Sequence, residues 1–286
     1  MNKVAQFTYD GVTVSLEEIT PEIAEQYLGK NLHNRNLRQR QVASYADDMA
    51  NGRWIWSNGA SIVFNKDGVL DDGQHRLHGV IESGAAVRML VVRGAQDGAQ
   101  DTIDTGIGRK FSDVLKLRGE THYVTVSTAA RAIFLWEHGG RHGTGSSGAP
   151  IVASNSQLLQ TLNEHPWIRD VAVVFNRVSL HSHIPTSVSA GLYYAFIQIN
   201  AEDAEYFFDK LGSELNSDTP QPIFTLRKQL QDSRENSRGM VAGQRNARWM
   251  TAITIKTWNA FRNGDEIGQL KWRAGGAAPE AFPIPK

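Results

Sequence analysis

The chain alternates between two kinds of hydrophobic pattern, and the change from one to the other divides it in half. In Val12-Thr13-Val14-Ser15-Leu16 apolar and polar residues alternate at period two, which predicts a half-buried strand. Thr20-Pro21-Glu22 follows as a helix start, with a capping hydroxyl and proline at the first helical position. Val42, Tyr45, Ala46 and Met49 recur at helical spacing, so a helix is predicted from about Arg40 to Asn51, with Gly52 to stop it. Ile62-Val63-Phe64 and Val69-Leu70 predict two short strands around the turn Asn65-Lys66-Asp67-Gly68. Leu77-His78-Gly79-Val80-Ile81 then begins another helix, and Val87–Val92 is a well-marked strand. Short strands mixed with helices, without a regular βαβ repeat, argue for a small α+β domain.

Beyond about Tyr123 the strand pattern stops. Thr125–Glu137, Asn155–Asn163, Ile168–Arg177, Val188–Ile199, Asp203–Leu215, Leu226–Gln231 and Gln244–Phe261 all read as helices. A glycine-rich stretch at 139–148 and a proline-rich tail at 279–285 interrupt them. The expected architecture is α+β: a mixed-sheet domain over 1–120, then an all-helical domain over 121–286.

Composition narrows the chemistry. The 286 residues are ample for one large or two modest cores. The formal net charge is zero, so no global field draws the protein to nucleic acid or membrane, and such binding needs a local patch. With no cysteine, disulfides, thiolate zinc sites and thiol catalysis are excluded. The first residues lack the apolar run of a signal peptide, and no segment approaches the roughly 20 apolar residues of a membrane span. No membrane partner and a cytoplasmic location are therefore expected.

The densest chemistry is Asp71-Asp72-Gly73-Gln74-His75-Arg76, at a strand-to-helix junction. The free N–H groups and positive dipole end of a helix favour an anion there, and Arg76 offers a bidentate grip on phosphate. The bland alternative makes Asp72 a helix cap and Arg76 a surface ion-pair partner. Asp71 and Asp72 are candidate Mg²⁺ ligands beside nucleotide phosphates. Asn34, Arg35, Arg38 and Arg40 form a basic cluster suited to phosphate or DNA backbone, or simply a solvated helix approach. Asp104 could hold a divalent ion or orient a hydroxyl, with Arg109 and Lys110 to meet phosphate; a tight turn at Asp104-Thr105-Gly106 is the alternative. His33, His75 and His78 raise a metal site, but HExxH and Cys/His sets are absent, which argues against structural zinc. In the C-terminal half Arg227, Lys228, Arg234, Arg238, Arg245, Arg248, Lys256, Arg262, Lys271 and Arg273 are interleaved with Trp249, Trp258 and Trp272. That stretch is read either as a nucleic-acid surface or as core aromatics with solvated charges.

From Val12 to Leu117 the chain resembles the ParB/sulfiredoxin superfamily, and more narrowly the ParB-like proteins frequent in bacteriophage genomes. The resemblance rests on an early strand, then Asn34-Arg35-Asn36-Leu37-Arg38-Gln39-Arg40 before a helix, then a hairpin feeding Asp72-Gly73-Gln74-His75-Arg76-Leu77. It implies a turn that binds nucleotide phosphates, in a superfamily of CTP-hydrolysing partition clamps, ATP-dependent sulfinic-acid reductases, free-serine kinases and nucleases. Gln74 stands where the reductases carry their nucleophilic cysteine, which excludes that chemistry. The partition proteins carry a Gly-Glu-Arg-Arg type turn instead. The serine kinases use a separate acidic base, for which Glu17 and Glu18 are the candidates.

The expectation is a nucleotide-dependent phosphotransferase acting on DNA, on a hydroxyl of a modified base. Gly73, Gln74, Arg76, Asn34, Arg35, Arg38, Arg109 and Lys110 would bind the nucleotide; Asp72, His75, Asp104 and Glu18 would serve catalysis. ATP or CTP with Mg²⁺ would be the cofactors, DNA the partner, and the cytoplasm of a phage host the setting if a phage encodes it. A metal-dependent nuclease and a nucleotide-sensing DNA adaptor are the alternatives, and a homodimer stays open.

Overall fold

The computed structural model describes residues 6–32, 36–96, 99, 110–139, 152–235, 247–275 and 279–286. They form an α+β unit followed by an all-helical one, divided between Gly108 and Arg109. The division falls earlier than the expected residue 120. Phe111 and Leu115, on the short helix Phe111–Leu117, lie in the apolar core of the helical unit.

The first unit is a mixed five-stranded sheet. Strands β1 (Gln6–Tyr9), β2 (Val12–Ile19), β3 (Ser61–Asn65), β4 (Leu70–Asp72) and β5 (Val87–Ala95) stand in the order β1-β2-β5-β3-β4. Only the β3/β5 pair is parallel. β1 adds a strand to the sequence reading. It returns on β2 through Asp10 and Gly11, both at positive φ (49° and 74°), as a two-residue hairpin turn requires. Gly94, at φ 79°, lets that turn close on β5: a Cβ there would lie 2.4 Å from the Gly11 carbonyl oxygen.

Helices α1 (Pro21–Leu28), α2 (Gln39–Ala50) and α3 (Gln74–Ser83) pack in this unit. The Thr20 hydroxyl caps α1 by accepting from the Ile23 N–H at 3.3 Å, as the sequence predicts. Ile19, Ala24, Met49, Ile62, Phe64, Leu70, Leu77, Val80, Met89 and Val91 make one buried cluster between helices and sheet. α2 and α3 approach closely where Gly79 faces Tyr45; a Cβ on Gly79 would sit 2.8 Å from the Tyr45 Cβ.

The second unit holds α4 (Phe111–Leu117), α5 (Tyr123–Glu137), α6 (Asn155–Glu164), α7 (Ile168–Ser182), α8 (Thr186–Ile197), α9 (Ala201–Gly212), α10 (Gln221–Glu235) and α11 (Ala247–Asn263). Local signals start two of them: Ser154 and Gln157 form a reciprocal capping box, and Asn200 caps Asp203. Phe175, Phe196, Phe207, Phe208 and Trp258 are fully buried at the centre, with Phe196 stacked on Trp258 at 4.2 Å. Among the described residues no helix is long and apolar enough to cross a membrane.

Candidate functional site

The turn from β4 into α3 is built around Gly73. Its φ of 109° is left-handed, and a Cβ would lie 2.5 Å from Ile62 Cδ1, so only glycine fits. Gly73 itself occupies the N-cap position of α3, and no side chain caps the helix. The helix begins at Gln74, which places Gln74, His75 and Arg76 in its first turn. Asp72 is therefore a strand residue and not the cap that one reading expects.

All three polar side chains after the glycine are buried, each 7–9 % exposed. Arg76 donates from one Nη2 to both Asp72 Oδ2 and the Ser61 carbonyl oxygen, at 2.6 Å each. Its Nε is buried without a partner. The guanidinium thus ties β4 to β3 beneath the turn. Arg76 is thus an ion-pair partner of Asp72, as the bland reading has it, but a buried one and not a surface one. His75 accepts the Arg38 N–H on Nε2 at 3.0 Å, which fixes that nitrogen unprotonated. Since Arg38 is the N-cap residue of α2, His75 anchors the start of that helix to the turn. Gln74 accepts from Asn31 Nδ2 at 3.2 Å. Asn31, which the sequence reading passes over, joins α1 to the turn, and the neighbouring Lys30 carbonyl accepts the Leu70 N–H at 2.9 Å.

Asp71 and Asp72 do not converge. Successive strand residues point to opposite faces; Asp72 meets Arg76, while Asp71 accepts from Asn65 Nδ2 at 3.2 Å. The expected pair of metal carboxylates is thereby divided. Among the described residues no three His, Asp or Glu side chains cluster as metal ligands.

The two candidate bases also separate. Glu18 is exposed, whereas Glu17 is half-buried within a network on the opposite face of β2. Arg93 binds it through both nitrogens, at 2.5 and 3.1 Å, Tyr27 donates to it at 2.5 Å, and the Ser15 hydroxyl donates as well. Arg93 donates to the Tyr27 oxygen at 2.6 Å and lies over the Tyr27 and Phe64 rings. Burial alone would push the Glu17 carboxyl up; the hydrogen bonds from Arg93, Ser15 and Tyr27 outweigh it and hold the group below the ordinary range. Burial, then the adjacent Glu17, push the Tyr27 hydroxyl up to about 12. The hydrogen bonds to Glu17 raise the Arg93 guanidinium further. A carboxylate so fully supplied with donors is a poor proton acceptor. The exposed Lys30 ammonium stands 5.4 Å from the Phe64 ring centre, so this network abuts the segment that holds Gln74.

His33, Asn34, Arg35, Asp104, Arg109, Arg238 and Arg245 lie outside the described residues. Lys110 belongs to the helical unit, where its backbone N–H donates to Asp113 at 3.0 Å at the start of α4. Part of the C-terminal basic stretch is paired. Lys256 and Arg273 pair with Glu280, Arg262 pairs with Asp203, and Arg248 lies over Trp272 and Phe282. Arg227 is buried and donates to the Ser213 and His181 carbonyls. Trp258 is a core residue, as its spacing with Phe261 suggests.

No protein-family model matches this chain, and neither the curated proteins nor the solved structures give a match.

Proposed function

We propose that the N-terminal unit binds a nucleoside triphosphate at the Gly73 turn and uses it for phosphoryl transfer, as its resemblance to the ParB-like proteins implies. One observation carries this reading. The first turn of α3 follows a left-handed glycine, lacks a side-chain cap, and has each of its three polar side chains held from behind by a different element. A helix start so fixed presents its amides and dipole to an anion without reorganising. Phosphoryl transfer asks little more of a protein than positioning and charge neutralisation. Lys30, next to Asn31, and Arg38, whose backbone N–H meets His75, are exposed cations on the segments tied to the turn.

Mg²⁺ would arrive with the nucleotide, bound mainly by phosphate oxygens, with at most one of Asp71 and Asp72 able to join it. That separation makes the nuclease the weaker reading, since a hydrolytic metal would need several carboxylates at one point. The proposed acceptor is a hydroxyl carried by DNA, a part of the reading that rests on the resemblance alone.

The test is thermal unfolding of the full chain with saturating ATP, CTP or GTP, each with Mg²⁺, followed by transfer of labelled γ-phosphate to DNA. A nucleotide that binds the native state raises the melting temperature. A flat response to all three overturns the nucleotide site. A nucleotide-dependent rise without transfer to DNA overturns the acceptor and leaves the site intact.

A further inference from the structure

The sheet ends in β1, and its outer side carries a pairing code that can be read from the backbone. The hairpin turn has Tyr9 opposite Val12, with Asp10 and Gly11 between them. In such a turn the Tyr9 carbonyl accepts the Val12 N–H, so these two form a hydrogen-bonded pair. Antiparallel pairs alternate along a ladder. Phe7, opposite Val14, therefore also directs its N–H and C=O toward β2, while Gln6 and Thr8 direct theirs outward. Among the described residues, β2 is the only strand hydrogen-bonded to β1. All four β1 residues are exposed, Phe7 by 66 % and Tyr9 by 74 %.

This edge lacks the usual protections: Gln6-Phe7-Thr8-Tyr9 holds no charge and no proline, and β1 has no bulge in its pairing with β2. We propose that β1 is a self-association edge, pairing antiparallel with β1 of a second copy about a two-fold axis at Thr8. That register follows from the backbone phase. Thr8 opposite Thr8 of the other copy exchanges both outward N–H···O bonds, so the flanking positions become non-hydrogen-bonded pairs, where side chains approach most closely. Phe7 then faces Tyr9 of the other copy, twice, and the four rings form one row on the same face of the sheet. Gln6 falls opposite Asp10, so the two-fold brings no like charges together. Shifting the register by one residue would bring inward-directed groups to the seam and lose the bonds.

A heterologous strand would also satisfy an open edge; the aromatic match of the strand with its own reverse favours a second copy. Four residues bury much less than the roughly 1,200 Å² of a stable complex, so the association is weak and reversible. The surface is independent of the nucleotide reading.

Sedimentation velocity of the full chain across a hundredfold concentration range tests it. The weight-average mass is expected to climb from monomer toward dimer. Thr8→Pro removes an outward N–H that no bond among the described residues uses, so it should hold the monomer at every concentration with an unchanged circular-dichroism spectrum. Should that variant fail to fold, charge pairing decides. Phe7→Lys with Tyr9→Lys places like charges opposite each other and should abolish dimer, whereas Phe7→Lys with Tyr9→Glu places opposite charges there and should restore it. A monomeric wild type at the highest concentration overturns the proposal, as does dimerisation that the lysine pair leaves unchanged.

Discussion

Asp72 and Arg76 meet at 2.6 Å across the entry to α3, and the arginine is the more deeply buried partner, its side chain 11 % exposed against 23 % for the aspartate. The two variants should therefore differ. Asp72→Ala strands a buried guanidinium with only the Ser61 carbonyl for compensation, and should cost about 3–5 kcal/mol. Arg76→Ala leaves a carboxylate that water can partly reach, and should cost about 2–3 kcal/mol through lost packing and pairing. Urea unfolding of both variants checks the order. If Arg76→Ala is the costlier, packing of the arginine stem outweighs the ion pair.

Gly73 carries two separable demands, a left-handed φ of 109° and the contact with Ile62. Gly73→Ala should destabilise by about 2–4 kcal/mol, from backbone strain plus overpacking. Adding Ile62→Val deletes the Cδ1 atom that the new methyl would strike, and should recover the overpacking part only. Complete recovery would mean that φ at this position carries no strain; no recovery would mean that Ile62 had moved aside without cost.

The Glu17 network sets a pH response with two limbs. Glu17 has a folded-state pKa below its ordinary 4.5. Its contribution is thus complete above the ordinary value, and is lost as pH falls through the lowered one. Tyr27 is raised from 10.0 to about 12, so its contribution is complete below 10.0 and disappears as pH rises through about 12. Glu17→Gln should flatten the acid limb of melting temperature against pH and, by removing the neighbouring charge, shift the alkaline limb to lower pH. An unchanged acid limb would assign that loss of stability to other carboxylates.

Features that depend on neighbours in sequence were legible. Thr20-Pro21 reads as a helix start because a cap is made by residues three apart, and the Gly73 turn reads as a strand-to-helix junction because glycine marks a left-handed backbone. The fates of the charged side chains were not. Arg93 looks like an ordinary outward residue of a strand; only the β2/β5 register places it beside Glu17 and Tyr27. Arg76 looks like a surface arginine until the Ser61 carbonyl of another strand arrives beneath it. Lys256, Arg262 and Arg273 look unopposed because their counter-charges, Asp203 and Glu280, lie on α9 and in the tail. β1 was not legible because four alternating residues are too few to mark a strand.

Two glutamines on α10 hold the segment after α11 through its backbone, and their burial separates what each contributes. Gln229 accepts from the Leu270 N–H at 3.2 Å and donates to its carbonyl at 2.6 Å; Gln221 does the same with Ile267, at 2.8 Å both ways. Leu270 is buried at 2 % exposure, whereas Gln221 stands in solvent. Gln229→Ala leaves a donor and an acceptor unmade beside a core leucine, and should cost about 2–3 kcal/mol. Gln221→Ala lets water replace the amide, and should cost about 0.5 kcal/mol. Gln229→Glu keeps the shape and the acceptor but loses the donor to the Leu270 carbonyl, so it should fall between the two. Equal costs for Gln229→Ala and Gln221→Ala in chemical denaturation would mean that this segment is held by Leu270 and Trp272 packing into the core and not by its backbone.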